Sequence, residues 1–163
     1  MMKRYLRQPQ KSAETFWHDA EGNRWVRTGD IGKFDADGFL MLMDRKKDMI
    51  ISGGFNIYPS DIESVLTKHD DVQEAAVVGM PSEEWGETPV AFVVLQPRGS
   101  IDAQALKDWT NGQVGKTQRL SEVVFVDSLP RSAIGKVLKR ELRDQRLGHQ
   151  RLGDERAGMT AAS

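Results

Sequence analysis

A lysine on a glycine-containing loop is the side chain in this sequence best suited to act on an anion. Lys136 follows Gly135, and four residues separate that glycine from Pro130. The segment 137–146 comes directly after and has apolar residues at helical spacing. An ammonium group at the start of a helix offers three donors and can neutralise charge that grows on a phosphoryl group during a reaction. The alternative is an ordinary surface lysine, since the chain has 23 Lys and Arg residues.

Two further segments carry groups suited to a nucleotide. Asp30 follows Gly29 after a predicted strand, where a carboxylate can accept two hydrogen bonds from a diol such as ribose, although Asp after Gly is also ordinary turn chemistry. Arg45 lies in the charged segment 44–48, and its planar fork fits ribose or phosphate oxygens. A run of mixed charge is equally typical of a solvated face or of a linker.

The segment Ser52-Gly53-Gly54 is a third candidate. Two glycines in a row permit positive φ and a close approach of backbone to a ligand. The alternative is a bulge that turns the chain between a strand and a helix. It is not a phosphate loop of the Walker type, because no Gly-Lys-Ser/Thr follows it.

The composition excludes several classes of function. The chain has 163 residues, 39% of them hydrophobic, and 23 Lys and Arg balance 24 Asp and Glu, which disfavours a charge-driven nucleic-acid binder. With no cysteine and three scattered histidines, a thiolate or histidine-rich metal site is not expected. The longest apolar stretches, 75–80 and 90–95, are far shorter than the roughly 18–20 residues that span a bilayer. No secretory signal is recognisable either, so we expect a cytoplasmic protein without a transmembrane segment.

The elements that position these groups follow from hydrophobic spacing and turn residues. Residues 14–43 predict hairpins, with turns at 18–23 and 35–38. Beyond the charged segment, strands are predicted at 49–51, 72–80, 89–95 and 122–126, and helices at 59–68, 102–114 and 137–146. This order predicts an α+β unit, a small mostly antiparallel sheet with three helices covering one side.

Two helix starts can be assigned from their residue types. Pro59 suits the first position of its helix, although Ser60 and Glu63 form an alternative capping box one residue later. Asp102 is the expected N-cap of the next helix. The resulting domain prediction is hairpins over 1–43, a linker at 44–48, the α+β unit over 49–146 and a flexible tail over 147–163.

Taken together, four segments resemble a known family. Residues 25–30, 35–40, 44–59 and 130–143, in this order and spacing, resemble the C-terminal part of the adenylate-forming superfamily, and within it the acyl-CoA synthetases or fatty-acid–CoA ligases. The resemblance runs from about Tyr5 to about Arg146. It implies that 1–43 is the end of the large AMP-binding domain, and that 49–146 is the AMP-binding enzyme C-terminal domain.

The resemblance also implies an activity. Members of the family use ATP to activate a carboxylic acid as an acyl-adenylate, release pyrophosphate, and pass the acyl group to coenzyme A. ATP and CoA are then substrates, and Mg²⁺ is expected with the ATP, with ligands outside this chain. The phosphate loop and the acid pocket belong to the large N-terminal domain, in the same or a separate chain, and are not found in this sequence. We therefore expect the chain alone to be inactive.

Residue roles for adenylation are carried over by position. Asp30 matches the family aspartate that holds the ribose hydroxyls, and Arg45 matches the arginine that assists it. Lys136 matches the lysine that bridges the substrate carboxylate and the nucleotide phosphate. The spacing of Pro130 and Gly135 before it also resembles sites that are acetylated in this family, which makes Lys136 a candidate for regulation by acetylation.

The remaining roles concern the second half-reaction. Lys47 falls at the hinge about which the small domain rotates between the two steps. Ser52, Gly53 and Gly54 match the loop that lines the CoA channel. Thr117-Gln118-Arg119-Leu120 departs from the Tyr-Lys-x-Pro of many relatives, and Phe55 stands where the acetate-activating branch has Arg. The second difference favours a fatty-acyl substrate.

The sequence leaves two other functions open. One is a free-standing C-terminal module that acts in trans or as a regulatory partner, although the hairpins would then expose Phe16, Trp17 and Trp25. An adenylation domain of a peptide synthetase predicts a carrier domain downstream, and residues 148–163 contain nothing of that kind.

Overall fold

The computed structural model describes residues 4–148, which fall into two units that divide between Lys47 and Asp48. This boundary lies inside the segment 44–48 that the sequence predicts as a linker. Strand pairing continues into that segment, since β4 ends at Arg45. Within the described residues, no helix is long and apolar enough to cross a membrane.

The first unit consists of a short helix and two separate hairpins. Its elements are α1 (Pro9–Thr15), β1 (Phe16–His18), β2 (Arg24–Val26), β3 (Asp30–Phe34) and β4 (Leu40–Arg45). β1 pairs antiparallel with β2, and β3 with β4, as the two turn signals predict. Helix α1 has no counterpart in the prediction, because Pro9 at its start is followed by a stretch without an apolar face.

An aspartate closes each hairpin of the first unit. The Asp19 carboxylate accepts hydrogen bonds from the backbone N–H of Asn23 at 2.8 Å and from the indole Nε1 of Trp25 at 2.9 Å. The bond from Trp25 is the main cause that lowers the pKa of Asp19. Asp35 closes the second turn in the same way, by accepting from the backbone N–H of Phe39 at 2.8 Å.

The second unit is a five-stranded sheet with three helices, which confirms the predicted α+β class. Its elements are β5 (Ile50–Ser52), β6 (Phe55–Ile57), α2 (Pro59–Leu66), β7 (Val72–Ser82), β8 (Gly86–Leu95), α3 (Ala103–Asn111), a 3₁₀ turn (Lys116–Gln118), β9 (Glu122–Phe125) and α4 (residues 139–148). β8 pairs antiparallel with β7 along its length. At its other edge β8 meets β5 and the parallel strand β9, and β6 lies outside β5.

Helices cover both faces of this sheet, so the prediction that they cover one side is wrong. Val77 and Val93 point to the face on which Leu106 of α3 is buried, together with the apolar side of α2. Phe92 points to the opposite face, where Leu142 of α4 is buried. Successive residues of β7 and β8 are apolar, and side chains alternate between the faces, so each face needs a cover.

Helix α2 begins as the proline signal predicts. Tyr58 is its N-cap residue and Pro59 its first residue, and no side chain caps the helix. Ser60 therefore lies inside the helix and is not its N-cap residue. The Glu63 carboxylate instead accepts the backbone N–H of Val77 at 2.7 Å and pairs with Nζ of Lys139 at 2.7 Å.

The other predicted boundaries differ by a few residues. Asp102 caps α3 as expected, because its side chain accepts from the backbone N–H of Ala105. Strand β6 was not predicted. Helix α4 starts at residue 139 rather than 137, since Val137 pairs with Arg131 in an isolated bridge. It continues through residue 148, and the rest of the predicted tail, 149–163, lies outside the described residues.

Candidate functional site

The strand register of the first unit brings Asp30 and Arg45 together. The two residues are direct partners across the β3–β4 hairpin, and Nε of Arg45 lies 3.4 Å from Oδ1 of Asp30. Gly29 has φ +78°, and its carbonyl accepts the backbone N–H of Lys46 at 2.8 Å, which closes the end of the hairpin beside the pair. Both side chains keep a third or more of their surface exposed, so they can reach hydroxyl groups of a ligand.

The segment Ser52-Gly53-Gly54 is a tight hairpin turn. Ser52 pairs with Phe55, and the two glycines between them have φ of +55° and +82°. Positive φ at both central residues is typical of two-residue turns that match the twist of antiparallel strands. The interpretation as a bulge between a strand and a helix is wrong, because β6 intervenes before α2.

Trp85 holds this turn from the side. The backbone N–H of Gly53 donates to the carbonyl oxygen of Trp85 at 2.9 Å. A Cβ atom on Gly53 would lie 2.7 Å from Cε3 of the indole, so Trp85 packs against the glycine more closely than any side chain permits. Trp85 shows no sign in the sequence of a contact with this turn, since it lies more than thirty residues away along the chain.

A cavity of about 500 Å³ opens beside this turn. Its lining combines two aromatic rings, two cations and four hydroxyl side chains: Phe55, Trp85, Lys116, Arg119, Ser52, Thr88, Thr117 and Ser121. Within residues 4–148, neither Lys116 nor Arg119 forms an ion pair. Free cations beside aromatic rings suit a ligand that is anionic and has a flat ring system, such as a nucleotide.

Two residues of this cavity gave only a weak signal in the sequence. Gly115-Lys116 is one of three Gly-Lys pairs, and Arg119 belongs to the segment that departs from the family pattern. The structure nevertheless brings this segment to the cavity that Ser52 lines. This segment reaches the cavity because β9, which follows it, runs parallel beside β8, and the sequence does not show that pairing.

Lys136 lies on a short closed turn of the second unit. The backbone N–H of Ser132 donates to the Lys136 carbonyl at 2.8 Å, and Ser132 Oγ accepts the backbone N–H of Lys136 at 3.2 Å. Gly135 supplies the positive φ of +79° that the turn requires. The Lys136 residue is exposed, and no ion pair occupies its ammonium group among the residues that the structure describes.

The predicted site residues are thus distributed over three features. Asp30 and Arg45 lie in the first unit, which ends at Lys47. Ser52 lines the cavity of the second unit, and Lys136 is not among the residues lining that cavity. Residues 4–148 contain no group of three or more His, Asp or Glu side chains that could hold a metal ion.

Comparisons with known proteins agree on one family. The profile described as AMP-binding enzyme C-terminal domain matches residues 61–136. The 2-succinylbenzoate–CoA ligase of Geobacillus kaustophilus is 44% identical over 141 residues, which are 86% of this chain and 28% of that protein. The long-chain-fatty-acid–CoA ligase FadD13 of Mycobacterium tuberculosis is 39% identical over 145 residues, 89% of this chain and 28% of that protein.

A solved structure gives the same result. The ATP-bound crystal structure of MatB from Rhodopseudomonas palustris superposes with a TM-score of 0.78 and 38% identity, over 88% of this chain and 28% of that one. The chain therefore spans a little over a quarter of the length of the relatives it matches.

Proposed function

Since this chain belongs to the acyl-CoA and aryl-CoA ligase family, as the part that carries the AMP-binding enzyme C-terminal domain, we propose that it serves an ATP-dependent acid–CoA ligase. The ligase activates a carboxylic acid as an acyl-adenylate and transfers the acyl group to CoA. The observation that carries the proposal is Lys136, an exposed ammonium group without an ion pair in residues 4–148, on a closed turn of the matched domain.

In the first half-reaction, Lys136 bridges the acid carboxylate and the phosphate of ATP. Negative charge grows on the phosphate oxygens as pyrophosphate leaves, and a nearby ammonium group stabilises it. Asp30 accepts hydrogen bonds from the ribose hydroxyls, and the neighbouring guanidinium of Arg45 holds the carboxylate in position. Mg²⁺ would accompany the ATP and be held by groups of the large domain.

In the second half-reaction, the cavity beside Ser52 receives CoA. The Gly53-Gly54 turn offers backbone without side chains for the narrow pantetheine arm. Lys116 and Arg119 face the phosphates, and the indole of Trp85 offers a surface for stacking. Lys136 and the cavity lie at separate places, which fits a reaction in two steps. A rotation about the hinge at Lys47 would replace Lys136 by the cavity at the reaction centre between the steps.

The missing partner is the large AMP-binding domain, in the same or a separate chain. Large apolar side chains of the first unit are exposed in this structure, among them Phe34 (73%), Phe39 (71%) and Leu42 (70%). Apolar side chains exposed together on hairpins are typical of a surface that another part of the protein covers. This supports a first unit that packs against further protein.

For the acid, we propose a fatty acid. The name of FadD13 supports this substrate, and so does Phe55 at a position where the acetate-activating branch has Arg. The 44% identical 2-succinylbenzoate ligase makes an aromatic acid the competing candidate.

The test uses this chain together with its large AMP-binding domain. Fatty, succinylbenzoic and coumaric acids are each incubated with ATP and CoA, and AMP, pyrophosphate and acyl-CoA are quantified. The proposal predicts AMP, pyrophosphate and a thioester in equal amounts, with fatty acids favoured. Formation of ADP, or no thioester from any acid, would contradict it.

The CoA cavity has its own test. Lys116→Ala combined with Arg119→Ala removes both free cations, and we expect the KM for CoA to rise roughly 10-fold or more with little change in the KM for ATP. Arg98→Ala, an exposed arginine that does not line the cavity, is the control. An unchanged KM for CoA would exclude the cavity as the CoA site.

A further inference from the structure

Arg131 connects the turn of Lys136 to the sheet. Its Nη1 donates to the carbonyl oxygen of Gly135 at 2.7 Å, and its Nη2 donates to Oε2 of Glu74 on β7 at 2.7 Å. The Gly135 carbonyl belongs to the peptide bond that leads into Lys136. One planar guanidinium therefore ties the peptide group before the lysine to a strand of the core sheet.

The other end of the segment is held as well. Leu138 donates its backbone N–H to the Pro130 carbonyl at 2.8 Å. Lys139, the first residue of α4, pairs with Glu63, which also accepts the backbone N–H of Val77 on β7. Both sides of the turn are thus connected to β7, while the side chain of Lys136 is exposed and forms no ion pair within residues 4–148.

We infer that Arg131 is a positioning residue for adenylation, and that it acts by fixing the direction in which Lys136 leaves the turn. The inference rests on the proposed function. Rotation of the peptide group between Gly135 and Lys136 would redirect the lysine side chain, and the bond from Arg131 Nη1 restrains that rotation. Glu74 is the anchor that orients the guanidinium.

The exposure of the Arg131–Glu74 ion pair allows an effect on the position of Lys136 to be distinguished from an effect on folding. The Arg131 and Glu74 side chains are 43% and 37% exposed. Ion pairs exposed to this degree contribute little to folding, so their loss leaves the chain folded. A misplaced catalytic group, in contrast, costs a large factor in rate even when the shift is small.

The experiment measures the two half-reactions separately in the ligase that contains this chain and its large domain. For Arg131→Gln and for Glu74→Gln, we expect adenylate formation to fall on the order of 10- to 100-fold. Transfer of supplied acyl-adenylate to CoA stays within about twofold. Arg140→Gln, which removes an exposed arginine of α4, is the matched control with both rates unchanged. Equal loss of both half-reactions in Arg131→Gln, or loss of neither, would overturn the inference.

A charge exchange distinguishes the hydrogen bond from the ion pair. In the double variant Arg131→Glu with Glu74→Arg the pair can form again, but a carboxylate at 131 cannot donate to the Gly135 carbonyl. We expect adenylation to stay as low as in Arg131→Gln. Recovery of adenylation would show that the ion pair alone matters, and would overturn the positioning role.

A spectroscopic measurement tests the positioning role directly. In the full chain, the ¹⁵N order parameters of Gly135 and Lys136 should fall from about 0.85 towards 0.6 in Arg131→Gln, and unchanged values would contradict the inference.

Lys136→Ala is the reference variant for the rate measurements. If it leaves adenylation intact, the proposed function itself fails; if it abolishes adenylation while Arg131→Gln does not affect it, the positioning role alone fails.

Discussion

Gly53 and Gly54 are neighbours in one turn but tolerate a side chain differently. Both have positive φ, so an alanine at either position is strained by roughly 1–2 kcal/mol. A Cβ atom at Gly54 meets no atom within 4 Å, whereas at Gly53 it meets the indole of Trp85 at 2.7 Å. The pair of variants therefore separates backbone strain from contact with the tryptophan.

We expect Gly53→Ala to lower the free energy of unfolding of the full chain by about 1 kcal/mol more than Gly54→Ala does. Urea unfolding of both variants measures the difference in the free energy of unfolding. Equal losses would show that Trp85 does not pack against Gly53 in solution.

Asp19 gives a residue-level test by pH. Hydrogen bonds from Trp25 and Asn23 lower its pKa below the ordinary 3.8, so its ionised form stabilises the first hairpin above that pH. This contribution is lost as the pH falls through the lowered pKa. An NMR titration of the Asp19 carboxyl should give a midpoint below 3.8, and Trp25→Phe should raise it. A midpoint of 3.8 or higher in the unmodified chain would contradict the hydrogen bonds.

Single residues also mark the limit of sequence-based prediction of the site. Asp30, Arg45 and Lys136 could be proposed from the sequence because each lies in a segment with a recognisable order of residue types, and their roles stay predictions. Trp85 and Arg119 could not, because they reach Ser52 only through the pairing of β8 with β5 and β9. Their roles depend on tertiary contacts that leave no local pattern.

At the level of elements, prediction succeeded where spacing and caps agreed. Pro59 and Asp102 start their helices as expected, and the apolar runs of β7 and β8 are buried strands. The short strand β6 was missed because three residues after a Gly-Gly turn are too few for a pattern. The prediction that the helices cover one side of the sheet was wrong. An apolar strand indicates that both faces of the sheet are covered, but it does not show which helix covers which face.

The packing of helix α4 on the sheet can be tested by mutation. Leu142 is 1% exposed in the core cluster on the second face of the sheet, so Leu142→Ala should lower the free energy of unfolding by about 2–5 kcal/mol. Ile134→Ala, at a position that is 89% exposed, should change it by less than about 0.5 kcal/mol. Urea unfolding of the full chain measures both. Similar small effects would mean that α4 does not pack on this face.

For the whole molecule, the α+β class and the family could be predicted, and both are confirmed. The hinge at Lys47, the cytoplasmic location and the identity of the acid stay predictions. Similarity does not decide the acid, because ligases of different acids share this part of the chain at 39–44% identity.

We propose that Lys136 acts in one half-reaction only. The most direct test of this proposal compares the ligase that contains Lys136→Ala with the unmodified ligase, each joined to the large domain. Pyrophosphate release from ATP and acid is measured first, and thioester formation from supplied acyl-adenylate and CoA second. We predict that the first rate is lost, because the ammonium group that stabilises the growing phosphate charge is absent, and that the second is retained. Retention of pyrophosphate release, or equal loss of both rates, would contradict the account.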